Sequence, residues 1–194
     1  AHGLRITDEM AVCVAAQACL LLVHMAPEEP PRRLMHWYDD FVGIVLHPAP
    51  MLAMRERMDD IGIVHRYQEA IAGETMGRGP VTLNWHDVDQ AESQSKDGYN
   101  LVIHEFAHLL DMHDGLANGC PPLPGGFGGY VSFAAARACW FAALHPAYEH
   151  FREQLTLAER FGGPAPWLDA YGAESPAEFF AVASEAYFVQ HARF

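Results

Sequence analysis

The most regular pattern of apolar positions lies within residues 97–115. Between 101 and 112, every position is apolar except the four that carry histidine, glutamate or aspartate. A helix with almost no polar face is typical of a protein core. Asp97 precedes this segment and Gly115 follows it, and these residue types cap the two ends of a helix. The pattern therefore predicts a buried helix within 97–115.

The longest apolar run, residues 8–25, predicts a second buried helix. Either Thr7 or Asp8 can cap its start, and the proline cluster within 27–31 ends it. Acidic residues stand where a secretory signal carries basic ones, and Gln17 interrupts a run that is already short for crossing a bilayer. These features favour a core helix over a membrane segment.

Between residues 32 and 92 the pattern changes to short segments rich in β-branched and aromatic residues, at 41–46, 61–67 and 81–85. Proline and glycine separate these segments, as expected for strands joined by turns. We expect them to form a small mixed sheet beside the helix predicted within 97–115.

The last third of the chain returns to helical patterns. Residues 114–130 are rich in proline and glycine and predict a surface loop. Residues 131–145 and 147–160 predict two helices separated by Pro146. Ser175-Pro176 is typical of the first positions of a further helix. The whole pattern predicts an α+β fold that is mainly helical.

The helix predicted within 97–115 carries the motif His104-Glu105-x-x-His108. Residues four apart lie on one helix face, so the two imidazoles can bind one cation, with Glu105 close enough to act as a base on a bound water molecule. With 12 histidines in the chain, the motif can also arise by chance. However, three ionisable groups are costly to bury in an apolar helix unless a divalent cation pairs with them. We therefore interpret the motif as a metal site.

A catalytic zinc site needs a third protein ligand. Glu178 would lie in the first turn of the last predicted helix, and Glu185 two turns later on nearly the same face. Ser175-x-x-Glu178 is also a capping box, in which the glutamate serves backbone donors alone. Spacing therefore leaves Glu174, Glu178 and Glu185 open as ligands.

Two features near this site have two interpretations each. In zinc peptidases a strand borders the cleft and pairs with extended substrate, and residues 81–85 are best placed for this, although an ordinary core strand fits equally. Asp111 follows His108 by three residues, so it can accept a hydrogen bond from a ligand imidazole or make a structural one.

Composition limits the class of protein. A chain of 194 residues with 51% hydrophobic content suits a single domain, 1–194. Its net charge of -13 argues against nucleic acid or an anionic membrane as the main partner. The four cysteines form no Cys-x-x-Cys pair and favour free thiols in a reducing compartment, which we take to be the cytoplasm.

A resemblance rests on a larger set of stretches, which are Thr7-Asp8-Glu9-Met10, Gly79-Pro80-Val81-x-Leu83-x-Trp85, the extended motif from Asp97 to His108, Leu110-Asp111-Met112, Asp114-Gly115 and Glu178-Phe179-Phe180-Ala181. Together they closely resemble the Mlc titration factor A family of bacterial zinc metallopeptidases. The likeness spans nearly the whole chain, and family members carry further helical sequence before the point at which this chain begins. The tail is also similar to the catalytic domain of anthrax lethal factor, where a tyrosine precedes the third-ligand glutamate by seven residues, as Tyr171 precedes Glu178.

The resemblance implies a zincin-like fold of the gluzincin kind and a role for each matching residue. It implies one zinc ion on His104, His108 and Glu178, with Glu105 as the general base and Tyr171 as donor to the developing oxyanion.

The same resemblance implies aminopeptidase activity on peptide substrates. The alternative is a regulatory protein that binds and sequesters a transcriptional repressor, as the family name implies for Mlc, with peptidase activity secondary. No residue in the sequence identifies a repressor-binding surface.

Overall fold

The computed structural model describes residues 3–23, 25, 30–39, 41–49, 51–58, 64–71, 73–75, 79–123 and 126–194. The elements of the first half are α1 (Asp8–Leu20), α2 (Pro31–Leu34), β1 (Ile44–His47), β2 (Met51–Met58), β3 (Val64–Ile71), β4 (Gly73–Thr75) and β5 (Val81–Asn84). Those of the second half are α3 (Trp85–Asp89), α4 (Ala91–Gln94), α5 (Leu101–Asp111), α6 (Phe133–Phe161) and α7 (Pro176–Val189). This arrangement confirms the predicted α+β, zincin-like fold.

The sheet is small and mixed, as predicted. Its strand order is β1-β5-β4, with β1 parallel and β4 antiparallel to β5. Strands β2 and β3 form a separate antiparallel pair. Residues 61–63 of the segment predicted as the second strand lie outside the described residues.

The position of β5 resolves one of the two open interpretations. It has a hydrogen-bonded strand on each side, so its backbone has no free edge for a substrate. Val81 and Leu83 are fully buried. Residues 81–84 therefore form a core strand and Trp85 begins α3, so the interpretation of residues 81–85 as the strand that pairs with substrate is wrong.

Helix α5 forms the centre of the core. Every residue of α5 except His108 is buried, and the helix packs against α1, the sheet and α7. Its N-cap is Asn100, whose side-chain oxygen accepts a hydrogen bond from the Ile103 N–H at 3.0 Å. The prediction of Asp97 as the cap is wrong, because Asp97 belongs to a preceding 3-10 turn that Gly98 ends at φ 83°.

Helix α1 is capped by Thr7, whose hydroxyl oxygen accepts from the Met10 N–H at 3.3 Å. Only one stripe of the helix, made by Met10, Val14 and Ala18, is buried. Because Val12 is 67% exposed, α1 is a half-exposed layer on the core and not the fully buried helix that its composition predicted. Among the described residues, no helix has the length and apolar character needed to cross a membrane.

Helix α6 runs unbroken through Pro146 for 29 residues, so the prediction of two separate helices is wrong. Proline removes one helical N–H and leaves the carbonyl four residues earlier without its partner. Both Pro146 and Ala142 are exposed. Water can therefore bind the released carbonyl of Ala142, and the helix continues.

Candidate metal centre

The two histidines of the motif face each other on α5. The Nε2 atoms of His104 and His108 lie 3.1 Å apart. Their rings meet edge to face, with centroids 4.7 Å apart. The four-residue spacing therefore directs two nitrogen lone pairs at one point, as a shared cation requires.

Glu178 reaches the same point from α7. Its Oε2 lies 3.0 Å from Nε2 of His108 and 3.2 Å from Nε2 of His104. The backbone N–H of Glu178 is capped by the Ser175 hydroxyl oxygen at 3.1 Å. The capping motif thus serves the backbone of Glu178, while its carboxylate faces the imidazoles.

The geometry of these three atoms fits a small divalent cation. Tetrahedral bonds of about 2.0–2.1 Å place neighbouring ligand atoms about 3.3 Å apart, close to the separations of 3.0 to 3.2 Å found here. Among the described residues, His104, His108 and Glu178 form the one group of three or more metal-ligating side chains whose donor atoms converge in this way. Two imidazole nitrogens and one carboxylate oxygen leave a fourth position open, which is the pattern of a catalytic site.

The other two carboxylates that spacing left open lie elsewhere. Glu185 is also on α7, but its Oε1 lies 2.6 Å from Nδ1 of His104, on the opposite side of the ring from Glu178. Glu174 is exposed and does not belong to the converging group. The geometry therefore favours Glu178 as the third ligand.

Electrostatics within the site favour bound positive charge. Burial opposes ionisation of Glu178, but hydrogen bonds from His104 and His108 outweigh it and lower the pKa of Glu178 to about 2. Burial of His104 works against its charged form, yet hydrogen bonds to Glu178 and Glu185 raise its pKa to about 10. Without a metal ion, a proton on Nε2 of His104 therefore occupies the position between His104 and Glu178 that a cation would take.

The two residues with predicted catalytic roles lie near this cluster. Glu105 is 4% exposed on α5, and its charge is one of the contributions that raise the pKa of His104. Tyr171 lies in the 3-10 turn Ala170–Ala173, with its ring centroid 6.0 Å from that of His104. Its side chain is 41% exposed, so the phenol lies at the solvent side of the site.

The loop after α5 leads to α6 and also contacts α7, the helix that carries Glu178. The prediction of a surface loop for residues 114–130 is wrong for the middle part of the loop, because Gly119 and Cys120 are buried. The Gly119 N–H donates to Oδ2 of the fully buried Asp111 at 2.8 Å, and Trp140 Nε1–H donates to the Gly119 carbonyl at 2.7 Å. Asp111 thus makes a structural hydrogen bond, and burial raises the pKa of its carboxyl group.

Gly119 also contacts the first turn of α7 directly. A Cβ at this position would lie 2.5 Å from the carbonyl oxygen of Pro176 and 2.9 Å from Leu144. No side chain fits there without moving α7 relative to α5. The loop therefore helps to set the distance between Glu178 and the two histidines.

Gly119→Ala is expected to destabilise the protein by about 2–5 kcal/mol, from a left-handed backbone and an overpacked contact. The matched control is Gly115→Ala, which has a similar φ of 87° against 77° for Gly119, but no atom within 4 Å of the new Cβ. Only the backbone contribution, about 1–2 kcal/mol, should remain in the control. Urea unfolding of both variants measures the difference, and equal losses would contradict the packing role of Gly119.

Sequence reasoning missed the polar residues that surround the imidazole cluster. Asn100 caps α5 and also donates from Nδ2 to Oε1 of Gln17 on α1 at 2.7 Å. A signal existed for both residues: Gln17 interrupts an otherwise apolar run, and Asn100 directly precedes the first buried residue of α5.

Comparisons with known proteins identify the family of this chain. The family model described as Glucose-regulated metallo-peptidase M90 matches residues 1–194. Mlc titration factor A of Edwardsiella ictaluri is 43% identical over 153 residues, covering 78% of this chain and 53% of the relative. The protein of that name from Escherichia fergusonii is 39% identical over 188 residues, covering 96% of this chain and 63% of the relative. That of Yersinia pestis is 37% identical over 155 residues, covering 78% and 52%.

The chain therefore spans between 52% and 63% of the length of these curated relatives. The family model, in contrast, matches it from the first residue to the last. Because this family model covers the whole of it, this chain belongs to the glucose-regulated metallopeptidase family M90.

Proposed function

We propose that this chain is a zinc-dependent peptidase of the gluzincin kind, holding one zinc ion on His104, His108 and Glu178. The proposal rests on the convergence of the two histidine Nε2 atoms and one carboxylate oxygen of Glu178, which lie 3.0 to 3.2 Å from one another. The buried Glu105 lies on the same helix as the two histidines. A zinc ion on these three residues would lower the pKa of a bound water molecule towards neutrality and would polarise a carbonyl group.

The protein's own groups would supply the proton transfers. Glu105 would accept the proton of the attacking water and pass it to the nitrogen of the leaving amine. Tyr171 would donate its phenolic O–H to the oxygen that becomes negative as the peptide carbonyl is attacked. Tyr171 is 41% exposed and lies beside His104, so a substrate that enters the site from solvent can reach it.

Strand β4 is a better candidate than β5 for binding the substrate backbone. It is an edge strand of the described sheet and packs against α5, which carries the two histidines. An extended peptide can add to such an edge through main-chain hydrogen bonds. Either Glu74, which lies in β4, or an acidic loop residue is our candidate for anchoring a free α-amino group, which would make the enzyme an aminopeptidase. The side chain of Glu74 lies outside the described residues.

Hydrolysis of a matched peptide panel tests this function. Each chromogenic peptide is supplied with a free and with a blocked amino terminus, and the zinc-loaded protein is assayed before and after chelation. We expect the protein to hydrolyse the free-amino peptides, to lose this activity on chelation and to regain it when zinc is added. Peptides with a blocked amino terminus should not be hydrolysed. Turnover that is insensitive to chelation would contradict a metallopeptidase, and equal turnover of blocked peptides would contradict the aminopeptidase subtype alone.

The affinity for zinc is expected to rise with pH. Zinc must displace the proton that His104 holds with a pKa of about 10, so between about pH 6.5 and 10 log K should increase by about one per pH unit. Glu178, with a pKa of about 2, stays ionised throughout this window and adds no slope. Competition with a chromophoric chelator at several pH values measures this dependence. An affinity that stops rising above pH 7 would show that His104 does not hold this proton.

A second candidate function is suggested by the name of the relatives, Mlc titration factor A, which indicates interaction with a repressor. We propose that this chain also binds a transcriptional repressor, in the cytoplasm, where its four free cysteines would remain reduced. Such binding would use a surface outside the metal centre. Repressor capture that survives both Glu105→Gln and Glu178→Ala would support two separate functions, and loss of capture in either variant would contradict them.

A further inference from the structure

Glu185 is a buried carboxylate in contact with the metal centre. It is 3% exposed and uses its two oxygens for two different donors. Oε1 lies 2.6 Å from Nδ1 of His104, and Oε2 accepts the backbone N–H of Asn100 at 2.7 Å. An ionised Glu185 accepts through both oxygens and donates through neither, so in its contact with Glu185 the His104 ring carries a proton on Nδ1.

This contact decides which nitrogen of His104 can bind a cation. With one proton held on Nδ1, Nε2 is the ring nitrogen that a cation can bind once it displaces the second proton, and Nε2 is the atom that faces His108 and Glu178. Helix α7 therefore holds His104 from two sides, with Glu178 at Nε2 and Glu185 at Nδ1.

The hydrogen bonds continue outward to α1. The Asn100 side chain donates from Nδ2 to Gln17 Oε1 at 2.7 Å, and Gln17 in turn donates from Nε2 to the Cys13 carbonyl at 3.2 Å. Asn100 also caps α5 through its Oδ1. Its backbone N–H is consequently held at the position where Glu185 needs a donor.

We propose that Glu185 is a positioning residue that presents Nε2 of His104 to the metal, and that Asn100 and Gln17 hold Glu185 in place from α1. This inference rests on the proposed function, in which His104 is a zinc ligand. It assigns to Gln17, on a helix that provides none of the three proposed ligands, an effect on zinc affinity.

The direct test is the zinc affinity of Glu185→Gln, measured by chelator competition at fixed pH. Glutamine keeps the size of the side chain but has one acceptor oxygen for the two donors, so either His104 or Asn100 then faces an amide N–H. We expect affinity to fall by about 10- to 100-fold, as for other partners of ligating histidines. The matched control, Glu174→Gln, changes an exposed carboxylate on the same segment and should leave the affinity unchanged.

Two further measurements keep the proposal falsifiable if Glu185→Gln folds poorly. In zinc-loaded wild-type protein, nitrogen-15 NMR of the imidazoles should show His104 protonated on Nδ1, with that proton protected from exchange. Gln17→Met should lower zinc affinity by less than Glu185→Gln does, because it acts one hydrogen bond further out.

The outcomes separate the two proposals. Wild-type protein that binds no zinc would refute the proposed function. If wild-type protein binds zinc and Glu185→Gln binds it with unchanged affinity, the positioning role is overturned, even if that variant has a lower melting temperature. A proton on Nε2 of His104 in the zinc-loaded wild-type protein would overturn it as well. Unchanged affinity in Gln17→Met would overturn the link to α1.

Discussion

Glu105→Gln is expected to keep its fold and its zinc while losing nearly all peptidase activity. Glutamine matches glutamate in shape, so the buried position next to His104 should remain filled. An amide cannot take the proton of the attacking water, and a positioned base typically contributes about 100- to 10,000-fold to a rate. We therefore expect a loss of that size in kcat, measured on the best substrate of the panel with zinc content determined on the same sample.

The control for this variant is Glu153→Gln, which removes the same charge from an exposed position on α6. It should have wild-type activity. Activity within a few fold of wild type in Glu105→Gln would remove the general-base assignment, and a loss of zinc in that variant would mean that Glu105 helps to hold the metal.

Glu178→Ala is expected to have the largest effect on metal retention. It removes one of three convergent ligand atoms and leaves two imidazoles close together with no carboxylate between them. Because loss of a residue that merely orients a ligand reduces metal affinity by about 10- to 100-fold, loss of the ligand itself should exceed about 100-fold. Chelator competition on the purified variant measures this.

Alanine variants of the three carboxylates should differ in the size of the loss of zinc affinity. Zinc affinity should fall most in Glu178→Ala, less in Glu185→Ala, and not at all in Glu174→Ala. If Glu185→Ala loses more zinc than Glu178→Ala, then Glu185 is the ligand and the two carboxylates have exchanged roles.

The helix that carries the motif was predictable from sequence because its information is local. Burial of α5 follows from its composition, and the convergence of His104 and His108 follows from helical spacing alone. The start of α7 was predictable for the same reason, since Ser175 and Pro176 specify it locally.

The third carboxylate was not predictable from spacing, because it depends on how α7 packs against α5. Glu178 and Glu185 are seven residues apart on one helix, and both reach His104, one at each ring nitrogen. The way α7 crosses α5 determines that Glu178 faces Nε2 of His104, where the metal would bind, and that Glu185 faces Nδ1. That crossing is set in part by Gly119, whose role depends on contacts with Pro176 and Leu144.

Other errors arose where tertiary context overrides local preference. Strand β2 was absent from the predicted strands, because its sequence Met-Leu-Ala-Met-Arg-Glu-Arg-Met consists of good helix formers, and it is a strand because it pairs with β3 along its full length. Pro146 predicted a helix end, but its exposed position lets α6 continue. The glycine- and proline-rich loop was expected at the surface, where both of its ends do lie, but Asp111 and Trp140 bind the backbone of its middle part inside the protein.

The most direct test of the metal centre is the location of zinc in crystals of the zinc-loaded protein, from anomalous scattering at the zinc absorption edge. The proposal predicts one strong peak per chain, about 2.0–2.2 Å from Nε2 of His104, Nε2 of His108 and the carboxylate of Glu178. A peak on Nδ1 of His104 beside Glu185, or the absence of any peak at the two histidines, would contradict it.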